Sequence, residues 1–308
     1  MSVIGIDTSN YTTSIAFWDG TTGENCSKLL PVKPGELGLR QSDAVFAHIK
    51  SLPELSGRLF SRIMGADPIT AVGVSTRPRA VEGSYMPCFM VGYSHGKLLA
   101  DSLHVPLIEV SHQQGHVAAA LWGAERMDLM DQPHLAWHLS GGTTELLLVE
   151  PMGKNVSCTK IGGTTDISAG QLIDRTGHLL KLPFPSGKYL DELSREGENG
   201  DFFRVKCQNM TFSLSGVQNK VQQYDQQAHA PAETASYALK SICYAVTQAT
   251  RQALNAYPGL EVVFSGGVAS NTMLRREVAP LNPVFSPTQY ATDNAMGVAV
   301  LTKRMAEE

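Results

Sequence analysis

The chain has 308 residues, of which 43% are hydrophobic and 18% are charged, and its formal net charge is −4. This length allows two domains with a large buried core, and the composition is ordinary for a globular protein. No apolar run reaches the roughly 20 residues that a membrane-spanning helix needs. The acidic balance does not favour nucleic-acid binding by overall charge, so contact with RNA would require a local basic patch or a partner.

The cysteines and the first residues bear on the cellular compartment. The five cysteines are scattered and form no Cys-x-x-Cys pair. This pattern is typical of reduced thiols rather than of a disulfide framework or a cysteine metal site. The segment Met1–Asp7 lacks a basic region and enters an apolar strand directly, so we expect no secretion signal. We therefore predict a cytoplasmic protein.

The chain begins with a pattern that it repeats later. Residues 3–18 and 135–149 each contain an apolar strand, a turn rich in glycine, serine or threonine, and a second apolar strand. This pattern predicts a β-hairpin whose turn offers backbone N–H groups and hydroxyls to a phosphate group. One such hairpin at the start of each half predicts a two-lobed nucleotide-binding protein with the phosphates held between the lobes.

Helical and strand-like stretches alternate along the rest of the chain, which predicts α/β layers with mixed sheets. Pro53 should divide the first long helix into two, because an interior proline removes a helical hydrogen bond. The predicted strands are 71–75, 105–110 and 261–264, and the predicted helices are 41–64, 86–103, 112–123, 168–180, 231–256 and a last helix from Asp293.

Two histidines, His112 and His116, lie one helical turn apart directly after a predicted strand. Their side chains point the same way and can share one cation, although two surface histidines on an exposed helix would give the same pattern. His138, just before the glycines of the second hairpin, and Asp293 are candidates for the remaining ligands, and Asp293 is also a favoured helix N-cap. Three imidazoles and one carboxylate suit iron or zinc better than magnesium.

A third glycine turn, Ser265-Gly266-Gly267, follows a predicted strand and precedes a predicted helix. Its backbone can approach an anion at the helix N-terminus, although a plain tight turn would look the same. Asn271, farther along, could reach a base or ribose. Asp166 and Asp174 flank a helical glycine. A carboxylate there could bind ribose hydroxyls, or Asp166 could cap the helix and Asp174 face solvent.

Together these motifs resemble those of the tRNA N6-threonylcarbamoyladenosine synthase family, which transfers a threonylcarbamoyl group to a tRNA adenosine and was formerly described as an O-sialoglycoprotein endopeptidase family. The resemblance covers nearly the whole chain, and its motifs appear in the family's order. The matching segments are 5–9, 105–116, 139–144, 166–174, 182–187, 212–216, 264–271 and 292–295.

The resemblance implies an α/β fold with two ribonuclease-H-like lobes of the actin, Hsp70 and sugar-kinase type and the nucleotide between them. The first lobe would span 1–130 and the second 131–308, with the last helix able to pack back on the first lobe. It also implies an acyltransferase with a divalent transition metal (iron or zinc), an adenine nucleotide (threonylcarbamoyl-adenylate, ATP or AMP), tRNA as substrate, partner subunits of a tRNA-modifying complex, and no membrane association.

The resemblance assigns roles to individual residues. The implied metal ligands are His112, His116 and Asp293, and His138 replaces a tyrosine that can bind metal in relatives. The first hairpin lies near the reactive end in relatives, so Asp7, Asn10 and Thr12 are predicted catalytic residues. The predicted nucleotide contacts are Ser140, Gly141, Gly142, Thr143, Asp174, Gly187, Gly266, Gly267 and Asn271.

Departures from the family pattern leave other functions open. The first hairpin of relatives usually reads E-T-S-C-D-E-T, whereas residues 7–13 here lack the Asp-Glu pair. Gln218 replaces a basic residue, and residues 77–80 read Arg-Pro-Arg-Ala in place of Arg-Gly-Pro-Gly. A divergent paralogue would be an ATPase, a carbamoyl- or phosphotransferase, or a non-catalytic partner subunit. In a phosphotransferase, Asp7 could serve as the base. A metalloprotease is disfavoured, because Gln113 stands where a His-Glu-x-x-His motif has its general base.

Overall fold

The computed structural model describes residues 1–9, 11–31, 39–197, 200–287 and 295–307. The chain forms two compact units. Unit 1 comprises Met1–Gln132, Glu150–Cys158 and Asp293–Glu308, and unit 2 comprises Pro133–Val149 and Thr159–Thr292. Two predicted site residues, Asn10 and Asp293, lie outside the described residues.

Strands and helices alternate as the sequence predicts. The strands are β1 (Ser2–Thr8), β2 (Thr12–Trp18), β3 (Gly23–Leu29), β4 (Ile69–Arg77), β5 (Leu107–Ser111), β6 (His134–Leu139), β7 (Thr144–Met152), β8 (Asn155–Thr164), β9 (Thr211–Phe212), β10 (Val262–Ser265) and β11 (Val284–Phe285). The helices are α1 (Gln41–Arg62), α2 (Phe89–Leu103), α3 (His112–Gly123), α4 (Ala169–Leu179), α5 (Gly187–Ser194), α6 (Ser215–Gln226), α7 (Pro231–Ala256), α8 (Thr272–Val278) and α9 (Met296–Ala306). In the described parts of the chain, none of the helices combines the length and apolar character needed to cross a membrane.

The two sheets repeat one strand order. The first is β3-β2-β1-β4-β5, and the second contains β8-β7-β6-β10-β11 with β9 added beside β8. In both sheets the first strand of the hairpin pairs antiparallel with the second strand and parallel with a later one, β4 or β10. The hairpins at 3–18 and 135–149 therefore occupy equivalent places, and the prediction of mixed sheets is confirmed.

Each sheet is covered by helices that bury an apolar face. In unit 1, Ile4 and Ile6 of β1 share a core with Leu55 and Leu59 of α1. In unit 2, α7 is buried along most of its length, and it packs in the same core as the strands β6 and β10. Because parallel strands end at one edge of a sheet, this layering brings the loops after β1, β4 and β5 to the same edge of the first sheet.

The prediction that Pro53 divides the first helix is wrong. The stretch forms one helix, α1, with Pro53 inside it on the exposed face. The carbonyl of Ile49 loses its helical donor there, but Ile49 is 48% exposed, so water can replace the missing bond. The buried side chains of Leu52 and Leu55 hold both parts of the helix against the same core, which offsets the loss.

The last helix, α9, packs within unit 1 against β1 and α3. A Cβ added to Gly5 of β1 would lie 2.5 Å from the backbone nitrogen of Ala299, and one added to Gly297 would meet the carbonyl of Gly115. Glycine at these positions lets the backbones approach closely. The carboxyl-terminal helix therefore belongs to the same compact unit as the first strand.

Candidate nucleotide and metal sites

The helix that carries the paired histidines begins at a defined residue. Strand β5 ends at Ser111, whose Oγ accepts a hydrogen bond from the backbone N–H of Gln114. The Gln114 side chain accepts one from the backbone N–H of Ser111 in return. This capping box fixes the first turn of α3. His112 is therefore the first helical residue, and His116 follows one turn later on the same face.

The two imidazoles face each other. Their Nε2 atoms lie 2.9 Å apart, and the ring planes cross at 80°. Nδ1 of His112 lies 3.0 Å from Oδ1 of Asp7, which is 1% exposed and also accepts a hydrogen bond from Ser75 Oγ. The structure thus brings together two predicted ligands, His112 and His116, and one predicted catalytic residue, Asp7. Ser75 is not among the predicted site residues, although it ends the predicted strand 71–75.

The paired imidazoles fit a transition-metal site. Nitrogen binds zinc at about 2.0–2.1 Å. Two nitrogens separated by the observed 2.9 Å can both reach one cation at that bond length. Imidazole ligands suit zinc and iron. His138 lies in unit 2 and Asp293 outside the described residues. Within the described ranges, no group of three or more histidine, cysteine or acidic side chains converges as a ligand set. The roles of His138 and Asp293 stay predictions.

The first hairpin supplies Asp7 near the end of β1 and Thr12 at the start of β2. Thr12 is 7% exposed, and its catalytic role stays a prediction, as does that of Asn10. His48 of α1, a buried histidine that is not among the predicted site residues, has its Nδ1 2.8 Å from Thr13 Oγ1 on β2. Burial lowers the pKa of His48, and the charge of Asp7 opposes this shift.

In unit 2, hydrogen bonds between Ser140 and Thr143 close the turn between β6 and β7, and two exposed glycines lie between them. The backbone N–H of Ser140 donates to the carbonyl of Thr143 at 2.8 Å, and the N–H of Thr143 donates to Ser140 Oγ at 3.1 Å. Gly141 and Gly142 between them are exposed, and a Cβ added to either would meet nothing within 4 Å. The turn therefore presents its backbone to solvent, where a phosphate group could approach it closely.

Helix α4 packs its first turn onto this glycine turn. Ser168, the N-cap of α4, donates through Oγ to the carbonyl of Gly141 at 2.6 Å. The N–H of Ala169 donates to Thr144 Oγ1 at 2.8 Å. A Cβ on Gly170 would lie 2.5 Å from Gly141 Cα. Ser168 is not among the predicted site residues; the sequence feature that marks it is the Ser-x-x-Gln spacing of a capping box.

The third glycine turn lies beside the second hairpin. Gly266 has a φ of 92°, and a Cβ there would meet the carbonyl of Leu139, whereas Gly267 faces open space. The predicted helix follows this turn, but it does not begin directly at the glycines. Gly267–Ser270 form a 3-10 turn, and α8 begins only at Thr272, because the Asn271 side chain caps it at Leu274 N.

Two other predicted nucleotide contacts lie close together, whereas Asn271 is engaged by its own unit. Oδ1 of Asp174 accepts a hydrogen bond from the N–H of Ser186 at 2.9 Å, which places Asp174 next to the start of α5 at Gly187. Burial raises the pKa of Asp174, and this hydrogen bond partly opposes the shift. Asn271 is 8% exposed and donates through Nδ2 to Asp191 at 2.8 Å. Its nucleotide contact stays a prediction.

Asp166 accepts several hydrogen bonds from the segment that begins α6. Burial would raise its pKa, but hydrogen bonds from Ser213 Oγ and Ser215 Oγ, the N–H of Leu214 and Thr164 Oγ1 outweigh that effect and hold the pKa at about 2. Leu214 is the N-cap residue of α6. Asp166 therefore secures the start of α6, not that of α4, whose cap is Ser168.

Comparison with known proteins decides the family. The family TsaD, described as tRNA N6-adenosine threonylcarbamoyltransferase, matches residues 38–300. The chain belongs to this family. The family resemblance predicted from the sequence is confirmed, and with it the prediction of a transferase enzyme.

Individual relatives agree with this assignment. The tRNA N6-adenosine threonylcarbamoyltransferase of Streptococcus suis (strain 05ZYH33) is 33% identical over 248 residues, which cover 76% of this chain and 70% of the relative. That of Lactococcus lactis subsp. cremoris (strain SK11) is 31% identical over 252 residues, which cover 77% of this chain and 70% of the relative.

Solved structures share the fold at low sequence identity. Full-length HypF in the phosphate- and nucleotide-bound form matches with a TM-score of 0.62 at 14% identity, over 100% of this chain and 47% of HypF. The ROK hexokinase from Thermus thermophilus matches with a TM-score of 0.52 at 13% identity, over 100% of both chains. These matches confirm the prediction of an actin, Hsp70 and sugar-kinase type fold.

Proposed function

We propose that this chain transfers the threonylcarbamoyl group of threonylcarbamoyl-adenylate to the N6 amine of a tRNA adenosine. The family match over residues 38–300 carries this proposal, because it includes the paired histidines and the glycine turns at 140–143 and 265–267. The family's relatives named above are tRNA-modifying transferases. The scattered free cysteines suit a reducing compartment, so the proposed setting is the cytoplasm.

The adenylate is proposed to bind with its phosphate against the open glycine turns of unit 2. Gly141, Gly142 and Gly267 leave room that a side chain would fill. The ribose is proposed to lie near Asp174 and Gly187, which Ser186 holds together. Backbone N–H groups in such turns favour an anion without adding a formal charge.

His112 and His116 are proposed to hold one iron or zinc ion, with Asp293 and His138 as further ligands. A metal bound there would act as a Lewis acid towards the carbamoyl carbonyl or orient the adenylate. Within the protein itself, α3 positions the two Nε2 atoms, and Asp7 holds the His112 ring by its Nδ1 atom.

We propose direct transfer, without an acyl-enzyme. The adenosine amine attacks the carbamoyl carbon, the new C–N bond forms, the bond from that carbon to the phosphate oxygen breaks, and AMP leaves while the amine loses a proton to solvent. Cysteine thiols are poor candidates for a covalent nucleophile. Burial raises the pKa of Cys88 and Cys207 to about 11 and that of Cys158 to about 12, so these thiols stay protonated.

The test is to incubate the protein with threonylcarbamoyl-adenylate and unmodified tRNA and to measure modified adenosine by mass spectrometry. We expect product with the wild-type chain and strongly reduced product with His112→Ala, whereas His178→Ala, on an exposed helix end of unit 2, should match the wild type. Absence of product from the wild-type chain, with and without partner subunits, would contradict the proposal.

A divergent paralogue is the second candidate, and one specific observation favours it. Tyr11 and Thr12 replace the acidic pair that relatives carry in the first hairpin, and Thr12 is 7% exposed. Fewer carboxylates near the reactive end would weaken activation of the incoming amine. The net charge of −4 and Gln218 in place of a basic residue reduce the attraction for tRNA phosphates, so partner subunits would be needed for tRNA binding.

Complementation separates the two candidates. The chain is expressed in a cell depleted of its own threonylcarbamoyltransferase. Full rescue by this chain alone would show that the altered hairpin supports transfer. Failure to rescue, together with retained metal and nucleotide binding by the purified protein, would favour the paralogue: an ATPase, a carbamoyl- or phosphotransferase, or a non-catalytic partner subunit.

A further inference from the structure

We infer that Asp7 is a positioning residue, which fixes the proton of His112 on Nδ1 and thereby presents the Nε2 lone pair to the metal. This inference rests on the metal site of the proposed function. It concerns a residue outside the proposed ligand set, and it gives Asp7 a role different from the general base of a phosphotransferase.

The pairing of strands in the first sheet brings Asp7 and His112 into contact. β1 and β5 flank β4 in parallel, with Ile6 opposite Val74 and Ser75 opposite Val110. The carboxyl ends of the three strands therefore meet, and Asp7, Ser75 and His112 come together there although Asp7 and His112 are 105 residues apart in sequence. Asp7 is 1% exposed, so the surrounding strands fix the carboxylate in place.

The chemistry of the donors decides the tautomer. A carboxylate only accepts hydrogen bonds, so its contact with Nδ1 of His112 at 3.0 Å requires the proton on that nitrogen. A neutral imidazole then has its lone pair on Nε2. That atom is the one that faces Nε2 of His116 at 2.9 Å. The hydrogen bond therefore orients the ring and selects the nitrogen that can bind a cation.

Ser75 completes the arrangement from the neighbouring strand. Its Oγ donates to the same carboxylate oxygen, Oδ1, that accepts from His112. A buried carboxylate with two donors keeps a fixed direction, and a carboxylate bonded to the outer nitrogen of a ligating histidine orients the ring and raises its basicity. Replacement of such an outer partner typically lowers metal affinity by about 10- to 100-fold.

The first measurement is zinc affinity by competition titration with a chromophoric chelator. Asp7→Asn keeps the size of the side chain and removes its charge. We expect its zinc affinity to fall by about 10- to 100-fold relative to wild type. Ser14→Ala is the matched control, because Ser14 is a buried residue of the same hairpin whose hydroxyl donates to the backbone carbonyl of Asp7, at 3.4 Å. Its zinc affinity should stay within about twofold of wild type, far from the loss expected for an outer partner.

The second measurement is the tautomer of His112 in the metal-free wild-type protein, by long-range proton–nitrogen NMR, with signals assigned by their loss in His112→Ala. We expect the proton on Nδ1. This measurement does not depend on the folding of Asp7→Asn, and a merely structural role of Asp7 would not require this tautomer.

The outcomes separate this inference from the proposed function. If wild-type protein binds no metal, the metal assignment of the proposed function fails and this inference with it. If wild-type protein binds zinc and Asp7→Asn binds it equally tightly, or if the His112 proton is on Nε2, only the role of Asp7 is overturned.

Discussion

Ser168 donates a hydrogen bond from Oγ to the carbonyl of Gly141 at 2.6 Å, which ties the first turn of α4 to the glycine turn between β6 and β7. The glycines in and around these turns are of two kinds. Gly170 and Gly266 face backbone of their own unit, whereas Gly141, Gly142 and Gly267 face open space. The first kind is needed for packing, and the second leaves room for a ligand.

We expect Gly267→Val to reduce adenine-nucleotide affinity sharply while the protein stays folded. A Cβ added to Gly267 would meet no protein atom within 4 Å, so the fold can accept the side chain. The branched side chain would, however, block the approach of a phosphate to the backbone. Isothermal titration calorimetry with ATP or AMP measures the effect. Gly216→Ala is the control, since Gly216 also faces open space but lies on α6, and its affinity should be unchanged. Unchanged affinity in Gly267→Val would remove this turn from the site.

Gly170→Ala should destabilise the protein by about 1–3 kcal/mol, the usual range for overpacking. The added Cβ would lie 2.5 Å from Gly141 Cα and from the carbonyl oxygen of Ser140, and both of these are backbone atoms that cannot rotate away. Urea unfolding followed by circular dichroism measures the loss. A midpoint equal to that of wild type would show that α4 and the glycine turn are less tightly packed than the structure indicates.

The double variant His112→Ala with His116→Ala should lose its bound metal and keep its fold. The pair supplies two converging Nε2 atoms, and their removal leaves no imidazole on that face of α3. Metal content by inductively coupled plasma mass spectrometry, beside a circular dichroism spectrum, tests this. His178→Ala serves as the control because it changes an exposed histidine at the end of α4. Metal retained by the double variant at the wild-type level would disprove the assignment.

Asp166→Asn should lower the free energy of unfolding at neutral pH. It should also make that free energy less dependent on pH in acid. The pKa of Asp166 is about 2 in the folded protein, below the ordinary 3.8. A lowered pKa means that the ionised carboxylate stabilises the fold at pH above about 4, and that this contribution is lost as the pH falls towards 2. Because the side chain is exposed, solvent screening limits the contribution to about 1 kcal/mol.

The measurement for Asp166 is urea unfolding between about pH 6 and pH 2, which spans the loss of the carboxylate's contribution as the pH falls from about 4 towards 2. The wild-type curve should fall more steeply with acid than that of Asp166→Asn. Parallel curves would show that the hydrogen bonds from Ser213 and Ser215 do not favour the ionised form.

Local sequence patterns determined the elements that carry the sites. Apolar strands joined by a small-residue turn predicted both hairpins, and a Ser-x-x-Gln motif spans the start of the helices that begin at His112 and Ala169. Helix α7 was predicted with its observed bounds, because Pro231 is favoured in a first helical turn and a long periodic apolar face follows. Such signals lie within a few residues, so they act before any tertiary contact forms.

Only the tertiary structure decided which residues meet. Pro53 stays inside one helix because the burial of Leu52 and Leu55 outweighs the loss of the helical hydrogen bond that a proline removes. Helix α6 is polar along most of its length and buries only Val217, Val221 and Tyr224, and Asp166 secures its start from 48 residues away. The contact of Asp7 with His112 depends on the pairing of β1, β4 and β5, and strand pairing is set by nonlocal burial that no short segment of sequence encodes.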